Sequence, residues 1–186
     1  MIRRGGEPRH RIQPEPRQRE TVKPLELFFD LVFVLGFTQC TALMAAEPDW
    51  DGLGRGLLVL AVLWWSWGGY AWLTSVIDPE EGPVRLVMFG AIAGLLVVGL
   101  CVPEAFADRA LTFAAAYGVV RAAHIALFLI ASRDDRELRR SVVWLGGGTA
   151  VGVGLLVGAS FADGVAQGAL WAVAVLVDWG VPGVFG

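Results

Sequence analysis

The stretch Pro24-Leu25-Glu26-Leu27-Phe28-Phe29-Asp30-Leu31-Val32-Phe33-Val34 decides the fold class of this chain. Apart from two acids it is apolar, and no further charge appears until Glu47. A helix needs about 20 apolar residues to cross the roughly 30 Å hydrocarbon layer of a bilayer. The segment from Leu25 to Ala46 meets that length. A carboxylate at that depth is costly, so it calls for a partner or a task.

The rest of the sequence repeats the pattern. Gly56 to Ile77, Leu86 to Val102 and Ser141 to Ala162 carry no charge at all. Of the 186 residues 55% are hydrophobic, and mean hydropathy is +0.58. In a soluble domain polar residues would interrupt such blocks every few positions. Membrane barrels alternate polar and apolar residues, which these blocks do not. The sequence therefore predicts an all-α, polytopic transmembrane bundle of about six helices. The expected spans are Leu25–Ala46, Gly56–Ile77, Leu86–Val102, Ala110–Ala131, Val142–Ala162 and Val165–Gly180.

Residues 1 to 23 are polar, rich in arginine and proline, and read as a disordered basic tail. Basic residues collect on the cytoplasmic side of membrane proteins. With the N-terminus inside, that side holds seven basic residues of the tail, Arg85, Arg133, Arg136, Arg139 and Arg140. The opposite side holds Arg55 and Arg109 only, so the bias predicts a cytoplasmic N-terminus. After Asp178 the chain stays apolar to Gly186 and reads as interrupted, which predicts a piece of a longer protein.

Five ionisable residues stand out as a candidate buried polar or ion site: Glu26, Asp30, Arg121, His124 and Asp178. Glu26 and Asp30 are one helical turn apart and share a face. Glu26 sits in a first turn, where a carboxylate also serves the positive helix end. Tyr117, Arg121, His124 and Phe128 form one stripe on the fourth span. Arg121 and His124 lie roughly 15 and 10 Å from its end, comparable in depth to Asp30. An Asp30–Arg121 or Asp30–His124 contact is open if the first and fourth spans are neighbours. Such a centre serves either as an ion-pair knot that locks the bundle or as a proton or ion relay.

The second span holds the aromatic group Trp64, Trp65, Trp67, Tyr70 and Trp72. Trp65, Gly69 and Trp72 share a face, so a partner helix can pack over the glycine between two indoles. Packing is the expected role, with a cation–π contact to Arg121 as the alternative. Gly148/Gly152 and Gly154/Gly158 are small-residue pairs of the kind that let membrane helices approach closely.

Cys40 and Cys101 lie in apolar segments, and no Cys/His cluster has metal-ligand spacing, so neither a metal nor a cofactor is expected. Phosphate-binding, dinucleotide and hydrolase motifs are absent, and an enzymatic role is not expected. The partners expected are the lipid bilayer and either further copies of the chain or a missing C-terminal half. The basic tail is explained by topology and gives no support for nucleic-acid binding.

Taken together, these stretches resemble the bacterial low temperature requirement protein A family. The first-span motif with Phe37-Thr38-Gln39 carries the resemblance most strongly. Trp64-Trp65-Ser66-Trp67-Gly68-Gly69-Tyr70-Ala71-Trp72, Pro103-Glu104-Ala105-Phe106, Tyr117 with Arg121 and His124, and Ala169-Leu170-Trp171 running to Asp178 follow in order. The resemblance covers residues 21 to about 182. It implies a multi-span protein of the bacterial cytoplasmic membrane, linked by family name to growth in the cold, and supplies no substrate. Family members continue into further helices, and Ser75 stands where the family has asparagine. The functional expectation is transport or ion or proton permeation through the buried polar site. The alternative is a non-transporting structural or regulatory membrane factor.

Overall fold

A computed structural model of the chain describes residues 24–77, 82–133 and 135–185, without the side chains of Glu26 and residues 181–185. The expected tail over residues 1 to 23 lies outside the described residues. The elements are α1 (Pro24–Ala46), α2 (Trp50–Val76), α3 (Gly82–Cys101), a 3-10 turn (Val102–Glu104), α4 (Ala110–Ala131), α5 (Arg136–Ala159) and α6 (Gly164–Phe185). The chain is an all-α bundle. Five of the helices, α1 to α5, are long and apolar enough to cross a membrane, and the apolar stretch of α6, Gly164–Gly180, is shorter.

Three helices begin several residues earlier than hydropathy predicts: α2, α3, which starts at Gly82 and not Leu86, and α5; α2 and α5 have an aspartate cap. The Asp49 carboxylate accepts from the Gly52 amide at 2.8 Å, so α2 starts at Trp50, not Gly56. Arg55 is thereby drawn onto the helix and pairs with Glu47 at 2.9 Å. The Asp135 carboxylate accepts from the amides of Glu137 and Leu138, so α5 starts at Arg136, not Val142. A side-chain oxygen at this position satisfies amides that have no partner within the helix, which stabilises a helix start by about 1 kcal/mol. Hydropathy registers the edge of the apolar layer, whereas capping chemistry sets where the helix begins.

Packing order differs from chain order. α1 lies against α2 and α3, α3 against α4, α4 against α5, and α5 against α6. α6 returns to α2, and α2 also meets α4. The helices thus close into a ring that the α2–α4 contact divides. α1 and α3 pack on one side of this division, α5 and α6 on the other.

Close approach at the division depends on a glycine. A Cβ added to Gly69 of α2 would collide with the imidazole of His124 on α4. Trp72 stacks on Phe128 at 5.1 Å between ring centroids, and Trp65 stacks on Trp179 of α6 at 5.7 Å. The expected face of Trp65, Gly69 and Trp72 therefore receives two helices, α4 over the glycine and one indole, and α6 over the other indole. Of the glycines on α5, Gly152 faces α6, where an added Cβ would stand 3.4 Å from the Ala174 carbonyl. Gly154 and Gly158 face open space, so the expected close-packing role of that pair is not used within the bundle.

Orientation can be read by labelling. Cys40 and Cys101 are buried, so single cysteines introduced at Asp163 and Arg136 report alone. With the N-terminus inside, a membrane-impermeant maleimide added to intact cells should label the Asp163→Cys variant and spare Arg136→Cys. The reverse pattern would invert the topology.

Candidate functional site

The polar centre forms at the meeting of α2, α4, α5 and α6. Arg121 is 1% exposed although it stands about 15 Å from either end of α4, at about 1.5 Å per residue. Its Nη2 donates to Asp178 Oδ1 at 2.7 Å and to Thr149 Oγ1 at 2.8 Å. Thr149 in turn donates to Asp178 Oδ1 at 3.1 Å, and Tyr117 donates to Asp178 Oδ2 at 2.8 Å. Asp178 thus accepts three hydrogen bonds from two helices, α4 and α5, while itself belonging to a third. A charged carboxylate has only acceptor capacity, and this donor set matches it.

His124 lies one turn below Arg121, with its Nδ1 3.2 Å from Arg121 Nη1. A guanidinium nitrogen can only donate, so Nδ1 accepts and the ring proton belongs on Nε2. The imidazole stacks on Tyr70 at 4.9 Å and meets Phe128 edge-on at 4.8 Å. Tyr70 is fixed from its other end, because its hydroxyl donates to the Val120 carbonyl at 2.7 Å.

Among the described residues three buried side-chain atoms have no hydrogen-bond partner: Ser66 Oγ, Arg121 Nε and His124 Nε2. Each such group costs about 1–3 kcal/mol in desolvation when left unmatched. Two of the three belong to the centre itself. Arg121 and His124 also line a cleft of about 340 Å³ whose walls include Trp64, Trp65, Trp72 and Phe128. A second, much smaller void of about 10 Å³ lies beside Asp178 and Tyr117, close to the least space that holds one water.

The structure brings together three of the five ionisable residues singled out in the sequence: Arg121, His124 and Asp178. Asp30 is elsewhere. It is exposed on α1 and accepts from the indole Nε1 of Trp67 at 3.2 Å. The geometry closes the Asp30–Arg121 and Asp30–His124 contacts that were open on condition that the first and fourth spans are neighbours. Depth was matched, but the helices are separated: Phe29 takes the inward face of α1 and packs on Tyr70 at 4.7 Å, and Tyr70 covers His124. With Phe29 turned inward, the next residue turns out of the bundle. The side chain of Glu26 lies outside the described residues. Of the aromatic group, Tyr70 and Trp72 touch the centre's stripe, Trp65 meets α6, and Trp64 and Trp67 pair with each other at 5.3 Å beside Asp30.

Sequence reading overlooked Thr149 and Ser66. Thr149 follows the triple glycine of α5, where it reads as part of a packing motif. The available signal was its spacing: it lies three residues before Gly152, whose bare surface admits Asp178, so both share one face of α5.

Comparison with known proteins agrees with this architecture. Residues 21–186 match the model of the family described as bacterial low temperature requirement A protein (LtrA), and the chain belongs to that family. A curated relative, the uncharacterised protein RA0937 of Rhizobium meliloti (strain 1021), is 31% identical over 124 residues. That alignment covers 67% of this chain and 30% of the relative, so the chain matches less than a third of the relative's length. No solved structure matches significantly. Family and helices together make this an integral, multi-pass membrane protein.

The ion pair has a distinctive energetic signature. Arg121→Met or Asp178→Leu alone leaves one buried charge unmatched and should cost about 3–5 kcal/mol. The double variant should recover most of that loss. Asp30→Asn, which alters one exposed hydrogen bond, should cost less than about 1 kcal/mol. Reversible denaturation of the purified protein in detergent measures all four.

Proposed function

We propose that this protein transports or conducts an ion or proton across the bacterial cytoplasmic membrane, without enzymatic chemistry, by way of the Arg121–Asp178 centre. The observation that carries the reading is a fully buried arginine midway along an apolar helix, tied to a carboxylate on another helix and left with an unmatched Nε–H. Replacing a buried ion pair with well-packed apolar residues is often neutral or stabilising, so such a pair is weak evidence for a stabilising role. Ionisable groups inside membrane domains line pathways and relays far more readily than they serve packing.

The chemistry open to the centre is an exchange of partners. Arg121 carries a fixed positive charge. Asp178 is its counter-ion, and a proton arriving at Asp178 would release the guanidinium to another acceptor. Tyr117, Thr149 and the small void beside Asp178 supply a route for that proton. A second reading is favoured by the three hydrogen bonds on Asp178, which leave it well matched: a non-transporting factor, structural or regulatory, in which the centre locks the bundle.

The two readings separate in proteoliposomes loaded with a pH-sensitive dye and challenged with proton, potassium and chloride gradients. The transport reading expects the protein to dissipate at least one gradient. It also expects Asp178→Asn and His124→Phe to slow that flux at least tenfold at equal incorporation. Wild-type flux in both variants would remove the centre from the pathway. A protein that dissipates none of the gradients, with both variants merely less abundant, would favour the locking role.

A further inference from the structure

A groove of about 600 Å³ runs along the outside of the bundle between α4 and α5. Its floor is where the two helices touch: a Cβ added to Gly118 would stand 3.2 Å from Val153, and one added to Gly146 would stand 3.5 Å from Ile125. Its rims are low, because Ala122 on α4 and Ala150 and Gly154 on α5 are exposed and carry little or no side chain. From Leu129 to Gly118 the groove follows α4 for eleven residues, about 16 Å. That is about half of the roughly 30 Å hydrocarbon layer, the depth of one lipid leaflet. It begins two residues before Ala131, the last residue of α4, at the end of the bundle where basic residues gather.

Basic residues continue the groove on both helices. Arg139 precedes Gly146 by seven residues and Ala150 by eleven, so it shares the groove face of α5. Arg136 lies one turn before it, and Arg133 follows Leu129 by four residues, just beyond the end of α4. All three are exposed. Of the nearby acids, Glu137 falls on the opposite side of α5, and the Asp135 carboxylate is taken up by the amides of Glu137 and Leu138. Asp134 lies outside the described residues. The topology rule accounts for arginines at this end of the bundle, but not for an apolar groove that opens onto them.

We propose that the groove binds an anionic phospholipid of the cytoplasmic leaflet, with one acyl chain along Ala122, Ala126 and Ala150 and the headgroup phosphate among Arg133, Arg136 and Arg139. Guanidinium groups bind phosphate oxygens through short, charge-assisted hydrogen bonds. Basic pockets between membrane helices on the cytoplasmic side recognise anionic headgroups in this way. Thr149 also lines the groove and is bonded to both Arg121 and Asp178, so the bound chain lies against the polar centre. The site stands whether or not that centre conducts.

Native mass spectrometry of the full chain in detergent, titrated with dioleoyl phosphatidylglycerol or dioleoyl phosphatidylcholine, reads headgroup preference at equal acyl chains. Phosphatidylglycerol should bind at least tenfold tighter. Arg139→Gln should lower its affinity about fivefold, the share of one arginine near an anionic headgroup. Arg140→Gln, the same charge change turned away from the groove, should lower it less than twofold. Ala150→Phe should fill the groove and weaken phosphatidylglycerol binding at least tenfold, whereas Val151→Phe, outside the groove, should leave it unchanged. All four positions are exposed, so each variant should keep the fold, which far-UV circular dichroism verifies. Equal affinity for the two lipids, equal losses in Arg139→Gln and Arg140→Gln, or wild-type binding in Ala150→Phe would overturn the proposal. So would displacement of the lipid by millimolar inorganic phosphate, or a lipid-free dimer of the wild-type chain.

Discussion

The Arg121–Asp178 ion pair is the constraint around which this bundle is organised. An isolated charge in hydrocarbon is costly, so an arginine midway along α4 requires a counter-charge on a neighbouring helix. That requirement ties α6, which packs on α5 and α2, to α4 through the Asp178 side chain. Thr149 and Tyr117 occupy two further acceptor positions of the carboxylate. The glycine at 152 follows from the same need. Its missing side chain lets α6 approach α5 until Asp178 lies under the guanidinium.

The helix pairing around this centre explains why the first-span motif sits apart from it. The α2–α4 contact places α1 and α3 on one side, α5 and α6 on the other. Tyr70 spans that division: one face touches Phe29 of α1, another stacks on His124, and its hydroxyl holds the α4 backbone at Val120. α1 therefore influences the centre through packed rings, not through its carboxylate. Asp30 has its own partner in Trp67 and belongs to a separate polar contact on the outer side of α1 and α2.

Fold class, helix count and the polar stripe on α4 were legible in the sequence because each rests on local regularities. Charge-free length gives spans, and a repeat of three and four residues puts Tyr117, Arg121, His124 and Phe128 on one face. The span Ala110–Ala131 was predicted to the residue, since a charge or turn residue flanks each end. Partner choice was not legible. Asp30 and Asp178 both stand at plausible depth, and deciding between them needs the order of helices around the ring, which no local pattern encodes. Thr149 was hidden for a related reason: in a glycine-rich helix, a lone hydroxyl shows its meaning only when the facing helix is known.

The unmatched donors then carry particular weight. Asp178 has more donors than a purely electrostatic partner requires, while Arg121 and His124 have fewer acceptors than their burial requires. A centre selected only to hold helices together would distribute these bonds evenly, because each unmatched group costs stability. Here the deficit falls on adjacent residues that both line one cleft, and the surplus falls on the carboxylate behind them. Such an asymmetry keeps Asp178 fixed as an anchor and leaves the guanidinium and imidazole held as much by the packed rings of Tyr70 and Phe128 as by hydrogen bonds.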